Sequence, residues 1–313
     1  MEELVNDLRN FLTPKGVILA GGGEPTFWEG NLAYYVRRLS EFCSVGIDTN
    51  GTLLDRFLRD DTIWRFFYIT VPIIGYNRES YLAVCGHNQF DVVDRNLREI
   101  LRIKKSRGFT YPYINLKIAI NQRNYKGFVS MVRYAESIGA DNIFIRCMNN
   151  FEGRTDVELT SEQKEFIYEA VMKDGGFNRS YVGVFAENLI RSENPPSAEG
   201  EKLTTEPSHC WTVILMHNMG IKQNGDVFLC VPTTDQEEFS IGNINLTRLT
   251  EIWGSEQHLE VIQKLDQRMR NGLCDLRKCR HYRLNIVLEM ARNGTISPFL
   301  PTNEFLKRHA PFL

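Results

Sequence analysis

The fold is decided first by residues 16–25, which read GVILAGGGEP. An apolar run at residues 17–20 ends in three glycines, and this pattern is typical of a buried parallel strand followed by a tight turn. Glu24 then places a carboxylate at the end of a strand, where α/β folds keep their ligand sites. A carboxylate there suits a ligand ammonium group and repels phosphate, so the pattern excludes a phosphate-binding loop. The alternative is a tight strand-to-helix turn in which Glu24 is merely solvated.

Strand and helix patterns alternate on both sides of this turn. Further strands are predicted at residues 44–48, 66–71, 113–120 and 142–147, and helices at residues 2–12, 31–42, 90–105 and 125–138. Repeated strand–helix units imply parallel pairing with right-handed crossovers. We therefore expect an α/β fold, either a barrel or an open sheet, as a first domain over residues 1–186.

The pattern changes in the last third of the chain. Residues 187–209 carry three prolines and many polar side chains, which predicts a linker. Residues 211–216 and 226–230 then alternate like strands around the turn pair Asn224-Gly225, which predicts a hairpin. With helices predicted near residues 247–270 and 283–292, we expect residues 210–313 to form a small α+β domain that carries cysteines.

Composition excludes several classes of protein. The chain has 313 residues, 42% apolar and 24% charged, as in ordinary globular proteins. Lys and Arg number 37 against 39 Asp and Glu, so we expect no nucleic-acid partner. The sequence contains no run of 18 apolar residues, so we expect no membrane span. Its first residues are acidic and lack the apolar segment of a secretory signal. Seven cysteines, an odd number, indicate a cytoplasmic protein whose cysteines are free thiols or metal ligands.

The glycine turn and the motif Thr49-Asn50-Gly51, at the end of the next strand, together resemble the radical S-adenosylmethionine (radical SAM) enzymes. The resemblance covers roughly residues 1–150 and implies a (β/α)6 TIM-like barrel, here a partial one that lacks its first strand. It also implies that the Gly-Gly-Glu-Pro turn holds the methionyl amino group of SAM. The implied SAM-binding residues are Gly22, Gly23, Glu24, Pro25, Thr49, Asn50, Thr70 and Lys117. For the last two, the alternatives are an ordinary strand threonine and an edge residue.

The cysteine triplet Cys-x3-Cys-x2-Cys of that family does not occur in this sequence, since no three cysteines lie within eight residues of one another. In the family, its thiolates bind the iron–sulfur cluster whose open iron binds SAM. Either the sequence belongs to a longer protein that carries the triplet upstream, or it is a degenerate member that has lost the cluster. The intact SAM-side motifs favour the first interpretation. In both cases, these residues alone cannot bind the catalytic cluster in the family's manner.

Four cysteines lie in the last third of the chain: Cys210, Cys230, Cys274 and Cys279. The first pair flanks the predicted hairpin turn and the second pair shares one loop, so we expect the four sulfurs to converge. Four thiolates suit an iron–sulfur cluster or a tetrahedral zinc ion, and spacing does not choose between them; four unrelated buried thiols are the alternative. We also expect a tail with little apolar core of its own, held together by the metal.

The spacing Cys210-x14-Gly225-x4-Cys230 resembles the SPASM and twitch domains that follow radical SAM cores. This resemblance implies one auxiliary [4Fe–4S] cluster on the four cysteines, although Cys274 and Cys279 are spaced as Cys-x4-Cys where the usual pattern is Cys-x2-Cys. His281, two residues further on, is a candidate substitute for one of these two ligands; an ordinary surface or core histidine is the alternative. The whole resemblance implies a radical SAM oxidoreductase or maturase, if the triplet exists upstream. It would form a 5′-deoxyadenosyl radical that abstracts hydrogen from a peptide or small metabolite, with an electron donor such as flavodoxin or ferredoxin. The alternatives are a non-catalytic protein that binds SAM or a partner, with a structural iron–sulfur site, and a zinc-stabilised module.

Overall fold

The computed structural model describes residues 1–148, 157–176, 182, 185, 186, 189, 207–216, 218–274, 279 and 281–294. They belong to two compact units. The first is Gly16–Ser197, and the second combines Met1–Lys15 with Ala198–Leu313. The second unit thus includes α1 (Glu2–Asp7) and the π-helical turn Leu8–Leu12 that follows it. Most of residues 187–209 lies outside the described residues, so the predicted linker and the domain boundaries beside it stay a prediction.

The first unit is built on one sheet of five parallel strands in sequence order. The strands are β1 (Gly16–Leu19), β2 (Ser44–Asp48), β3 (Tyr68–Ile73), β4 (Tyr113–Ile120) and β5 (Asn142–Cys147). The helices are α2 (Leu32–Leu39), α3 (Leu54–Arg59), α4 (Arg78–Cys85), α5 (Phe90–Arg107), α6 (Phe128–Ser137) and α7 (Ser161–Asp174). The predicted α/β fold with a parallel sheet is confirmed.

The two faces of this sheet differ in chemistry, because successive side chains of a strand point to opposite faces. One face is apolar and includes the fully buried side chains of Ile47, Ile69, Ile114, Leu116 and Ile118. The other face carries a polar row in register across β2 to β5, made of Asp48, Thr70, Asn115 and Asn142. Hydrogen bonds run along the row, from Asn142 Nδ2 to Asn115 Oδ1 (2.9 Å) and from Asn115 Nδ2 to Thr70 Oγ1 (3.4 Å).

The second unit contains a small antiparallel sheet and four helices of the tail. Its strands are β6 (Gly220–Ile221), β7 (Asp226–Phe228) and β8 (Ser240–Asn243). Its helices are α8 (Trp211–Ile214), α9 (Leu249–Ile252), α10 (Glu256–Arg270) and α11 (Tyr282–Arg292). Strands β6 and β7 pair across the Asn224-Gly225 turn, where Gly225 has a φ of 89°, so a hairpin does form at this turn.

The strand predicted at residues 211–216 is wrong, because residues 211–214 form the short helix α8 and residues 215 and 216 form a turn. Six residues with alternating apolar side chains fit one helical turn as well as a strand. Tertiary contacts decide between them, since Thr212 donates its N–H to the buried Asn285 of α11 (2.9 Å). The hairpin therefore begins at Gly220, and Cys210 lies before α8 rather than on a hairpin arm.

The expectation of a tail without its own apolar core is also wrong. Buried side chains on α8, β7, β8, α9 and α10, and on residues next to them, form one hydrophobic cluster: Cys210, Val213, Val227, Phe228, Leu229, Phe239, Ile241, Ile252, Val261, Leu265 and Met269. Helix α1 belongs to the same unit, and its Val5 is buried. Asp7 of this helix forms an ion pair with Arg248 and accepts a hydrogen bond from its guanidinium group. None of the helices in the described ranges is both long and apolar enough for a bilayer crossing.

Candidate functional site

Glu24 joins the two turns that the sequence singles out. It caps the 3-10 turn Pro25–Phe27, and its Oε1 accepts hydrogen bonds from Thr26 N (3.1 Å) and Thr26 Oγ1 (2.6 Å). The same Oε1 accepts a third hydrogen bond from Thr49 Oγ1 (2.5 Å), and Oε2 accepts one from Asn50 N (2.6 Å). One carboxylate therefore ties the ends of β1 and β2 together.

The three glycines before Glu24 all have left-handed backbones, with φ of 80° at Gly21, 66° at Gly22 and 139° at Gly23. A side chain at these positions would be strained, which explains why the sequence repeats glycine here. All three are exposed. A ligand can therefore approach the backbone of the turn closely, next to the fixed carboxylate of Glu24.

Thr49 and Asn50 serve the turn itself. Thr49 is buried, and its hydroxyl both donates to Glu24 and accepts the N–H of Gly51 (3.2 Å). The side-chain oxygen of Asn50 accepts hydrogen bonds from the N–H (2.9 Å) and hydroxyl (2.7 Å) of Thr52. The structure thus brings both residues to Glu24, where they position the carboxylate.

Thr70 and Lys117 lie on the polar face of the sheet. Thr70 is linked to the turn through its backbone, since its carbonyl accepts the N–H of Thr49 (3.0 Å). Lys117 stands in register between Pro72 of β3 and Phe144 of β5. Within the described part of the chain, its amine has no hydrogen-bond or ion-pair partner, and no described contact joins it to Glu24.

Asn96 of α5 hydrogen-bonds to the Thr49-Asn50-Gly51 turn, and the sequence analysis did not identify it. Its Nδ2 donates to the carbonyls of Gly51 (3.0 Å) and Thr52 (3.2 Å), and the residue is buried. A weak signal was present, because Asn96 falls within the apolar stripe of α5 beside Val93 and Leu97. A polar residue in such a stripe needs a buried hydrogen-bond partner.

The four tail cysteines share one neighbourhood. The pKa of the Cys230 thiol is raised to about 11, chiefly by burial and then by the charges of Cys210, Cys279 and Cys274. Burial likewise raises the pKa of Cys274 and Cys279, each with a contribution from Cys210. Every pair of the four thiols therefore lies within electrostatic reach.

A single metal ion requires its ligands to be closer together than electrostatic reach alone implies. Among the described residues, no three His, Cys, Asp or Glu side chains are close enough together to hold one ion. A cubane cluster places its four thiolates farther apart than a tetrahedral ion does, so it tolerates a wider spacing. Convergence of the four sulfurs on one cluster stays a prediction.

The groups around the thiols are hydrogen-bond donors. The backbone N–H groups of His281 and Tyr282 lower the pKa of Cys279, against the larger effect of its burial. The Thr233 hydroxyl has the same effect on Cys230. Donors of this kind stabilise thiolates, which is the form that binds metal. His281, the predicted substitute ligand, has its Nε2 3.4 Å from Asn218 Nδ2.

Residues 210–280 match the family model SPASM, described as an iron–sulfur cluster-binding domain. This range includes all four tail cysteines. A curated relative is the tungsten-containing aldehyde ferredoxin oxidoreductase cofactor-modifying protein of Pyrococcus furiosus, 21% identical over 148 residues. The match covers 46% of this chain and spans 40% of the length of that relative.

Two solved structures match most of the chain in fold. One is anSMEcpe, an anaerobic sulfatase maturase, with bound S-adenosylmethionine and a peptide. It matches with a TM-score of 0.55 and 16% identity, and the match covers 91% of this chain and 78% of the anSMEcpe chain. The other is SuiB of Streptococcus suis bound to S-adenosylmethionine, with a TM-score of 0.54 and 13% identity, covering 90% and 64%. At these identities the matches establish the fold. The resemblance is confirmed at that level: the chain has the fold of radical SAM enzymes and carries a SPASM match over its tail cysteines.

Proposed function

We propose that this chain carries the SAM-binding site and the auxiliary-cluster site of a radical SAM maturase. The observation that carries the proposal is the Glu24 carboxylate, which joins the Gly-Gly-Glu-Pro and Thr-Asn-Gly turns at the ends of two adjacent strands. The finer fold proposal is that the five-stranded sheet belongs to a partial (β/α)6 barrel, with its polar face inward. Bound SAM supplies hydrogen-atom abstraction chemistry after one-electron reduction.

Glu24 is proposed to receive the ammonium group of SAM. Its Oε1 already accepts three hydrogen bonds, whereas Oε2 accepts one and keeps acceptor capacity. The fixed carboxylate would need no reorganisation on binding, and an ammonium–carboxylate hydrogen bond is among the stronger ones. Gly22, Gly23 and Pro25 would bring the backbone of the turn close to the ligand.

Lys117 is proposed to pair with a carboxylate of the ligand. It lies on the polar face with Thr70, and no described residue neutralises its amine. The face also holds the amide row of Asn115 and Asn142, which can donate hydrogen bonds to an anionic or polar group.

Cys210, Cys230, Cys274 and Cys279 are proposed to hold one [4Fe–4S] cluster. Three observations support this assignment. The SPASM match covers residues 210–280, and Cys230 and Cys274 pack against the hydrophobic cluster that contains Cys210. Backbone N–H donors also lie near Cys279. The side chains fit such a group because all four are thiols without disulfide bonds.

A peptide is the proposed substrate, with an electron donor such as ferredoxin or flavodoxin as partner. The structure of anSMEcpe with the Cp18Cys peptide matches 91% of this chain. The relative whose name describes a cofactor-modifying protein matches only 46% of it, so a small-molecule substrate has the weaker support.

The test is metal and ligand analysis of the full chain, reconstituted anaerobically with iron and sulfide. We expect about four irons per chain and SAM binding by calorimetry. Cys230→Ala should lose the iron, while Cys43→Ala, which removes a half-buried thiol of the first unit, should keep it. A colourless protein with one zinc ion would contradict the cluster. Iron without SAM affinity would leave only a structural iron–sulfur site.

A further inference from the structure

Cys210 is held between two helices of the tail unit. Its backbone N–H donates to Asp266 Oδ1 of α10 (2.8 Å), which fixes the main chain. Its sulfur lies 3.9 Å from Nδ2 of Asn285 on α11 and 3.8 Å from the Thr212 hydroxyl. Asn285 is fully buried, five residues beyond the end of the SPASM match at residue 280.

The orientation of the Asn285 amide is set by its other hydrogen bond. Its Oδ1 accepts the backbone N–H of Thr212 (2.9 Å), so the amide oxygen must face α8. The Nδ2 group is then directed at the sulfur of Cys210. Among the described residues, that sulfur is the only acceptor that Nδ2 has.

A buried amide donor requires a good acceptor, and a neutral thiol is a poor one. A thiolate carries a full negative charge and accepts the same hydrogen bond strongly. A cysteine that binds a cluster does so as a thiolate, and the geometry places the Asn285 N–H at the sulfur of one of the four proposed ligands.

We propose that Asn285 is a positioning residue for the auxiliary cluster, which directs Cys210 and raises the reduction potential of the cluster by donating an N–H···S hydrogen bond. This inference rests on the proposed cluster. Reduction adds negative charge to the cluster and its sulfurs, so a donor to one sulfur stabilises the reduced state more than the oxidised state.

The experiment compares the midpoint potential of the reconstituted full chain with those of its Asn285→Leu and Asn285→Asp variants, measured by redox titration with electron paramagnetic resonance. The leucine variant removes both hydrogen bonds of the amide. The aspartate variant, in its ionised form, keeps the acceptor for Thr212 and loses the donor. Asn293→Leu and Asn293→Asp are the matched controls, because Asn293 is the exposed C-cap residue of α11, at the opposite end of that helix from Asn285. Iron content and the unfolding temperature of the apo protein are measured for every variant.

We expect both Asn285 variants to shift the potential to more negative values and both Asn293 variants to leave it unchanged. Loss of iron from the Asn285 variants at an unchanged apo unfolding temperature also supports the inference, since it shows that Asn285 directs Cys210. An unchanged potential with full iron content overturns it. So does loss of iron together with a lowered apo unfolding temperature, because Asn285 would then be only a folding residue. Absence of iron from the unsubstituted protein instead refutes the proposed cluster itself.

Discussion

Glu24 is the residue on which the candidate SAM site depends most. Its carboxylate is shared by Thr26, Thr49 and the backbone of Asn50, so its charge both orders the site and is available to a ligand. A change at this residue therefore affects binding in two ways. It weakens the contact with the ligand, and it loosens the two turns that present the contact.

Glu24→Gln is expected to weaken SAM binding by roughly 1.5–3 kcal/mol, because a charge-assisted hydrogen bond becomes a neutral one. Isothermal titration calorimetry on the full chain measures this loss. Glu29→Gln is the control, since Glu29 is an exposed carboxylate five residues away and should not change the affinity. Equal affinity for the Glu24 variant and the unsubstituted protein would return Glu24 to the role of a turn residue.

Thr49→Val tests the structural half of this arrangement. The substitution keeps the shape of the side chain and removes the hydroxyl that bridges Glu24 and the N–H of Gly51. We expect the free energy of unfolding to fall by about 1–3 kcal/mol, because Thr49 is buried and its partners lose a hydrogen bond. Urea unfolding measures it. Thr110→Val, at an exposed position, should stay within about 0.5 kcal/mol of the unsubstituted protein.

The candidate site was only partly predictable at this scale. The Glu24 turn and the Thr49-Asn50-Gly51 turn were identified from motifs, because glycines and a carboxylate after a strand leave a strong pattern. Asn96 and Asn285 left almost none. Each is a single buried asparagine on a helix, and its role depends on partners 44 or more residues away along the chain.

At the scale of elements, Glu289 anchors α11 to residues on both sides of Cys210. Its Oε2 accepts hydrogen bonds from Ser208 N (3.0 Å), Ser208 Oγ (2.9 Å) and Trp211 Nε1 (2.6 Å). Burial acts to raise the pKa of Glu289. The hydrogen bonds from Trp211 and Ser208 and the charge of Arg292 outweigh it, so the pKa lies below the ordinary value.

This lowered pKa predicts a pH dependence of stability. Because the folded-state pKa lies below the unfolded value of 4.5, the stabilisation is present above that value and is lost as pH falls through the folded pKa. The difference in unfolding free energy between the unsubstituted protein and Glu289→Gln should therefore be constant near neutral pH and shrink on acidification. Urea unfolding across this range measures it. Glu260→Gln, an exposed change on α10, should show no such trend, and a parallel trend in both variants would refute the assignment.

Strands were easier to predict than the tail helices, for a physical reason. The strands at residues 44–48, 113–120 and 142–147 were predicted with the bounds that the structure shows, because apolar side chains line one face of each strand. Residues 211–216 are too short for their periodicity to separate helix from strand. Their helical form depends on α11, which comes about 70 residues later in the chain.

At the scale of the whole molecule, each compact unit has its own apolar core. The parallel sheet supplies one, and the cluster around Phe228 and Leu265 supplies the other. The tail therefore does not depend on a metal alone for its folding. This changes what a ligand substitution is expected to do.

Cys230→Ala is expected to abolish iron binding and to destabilise the tail without unfolding it, because the apolar cluster remains. Hydrogen exchange followed by mass spectrometry should show faster exchange in peptides from Ala198–Leu313 and unchanged exchange in those from Gly16–Ser197. Cys43→Ala provides the control for loss of a thiol. Complete exchange throughout the tail peptides would show that the cluster supplies most of their folding free energy.

The ion pair between Asp7 and Arg248 has a consequence for how the protein is made. Its partners are 241 residues apart, so α1 leaves the ribosome long before the segment on which it packs has been synthesised. At about 5–20 residues per second, the wait is about 12–50 s. Throughout that time, Val5 of α1 and Leu8 of the turn after it lack the later residues of their unit, near which they are buried in the folded protein. During translation, α1 is thus exposed well before it can reach its final position in the second unit.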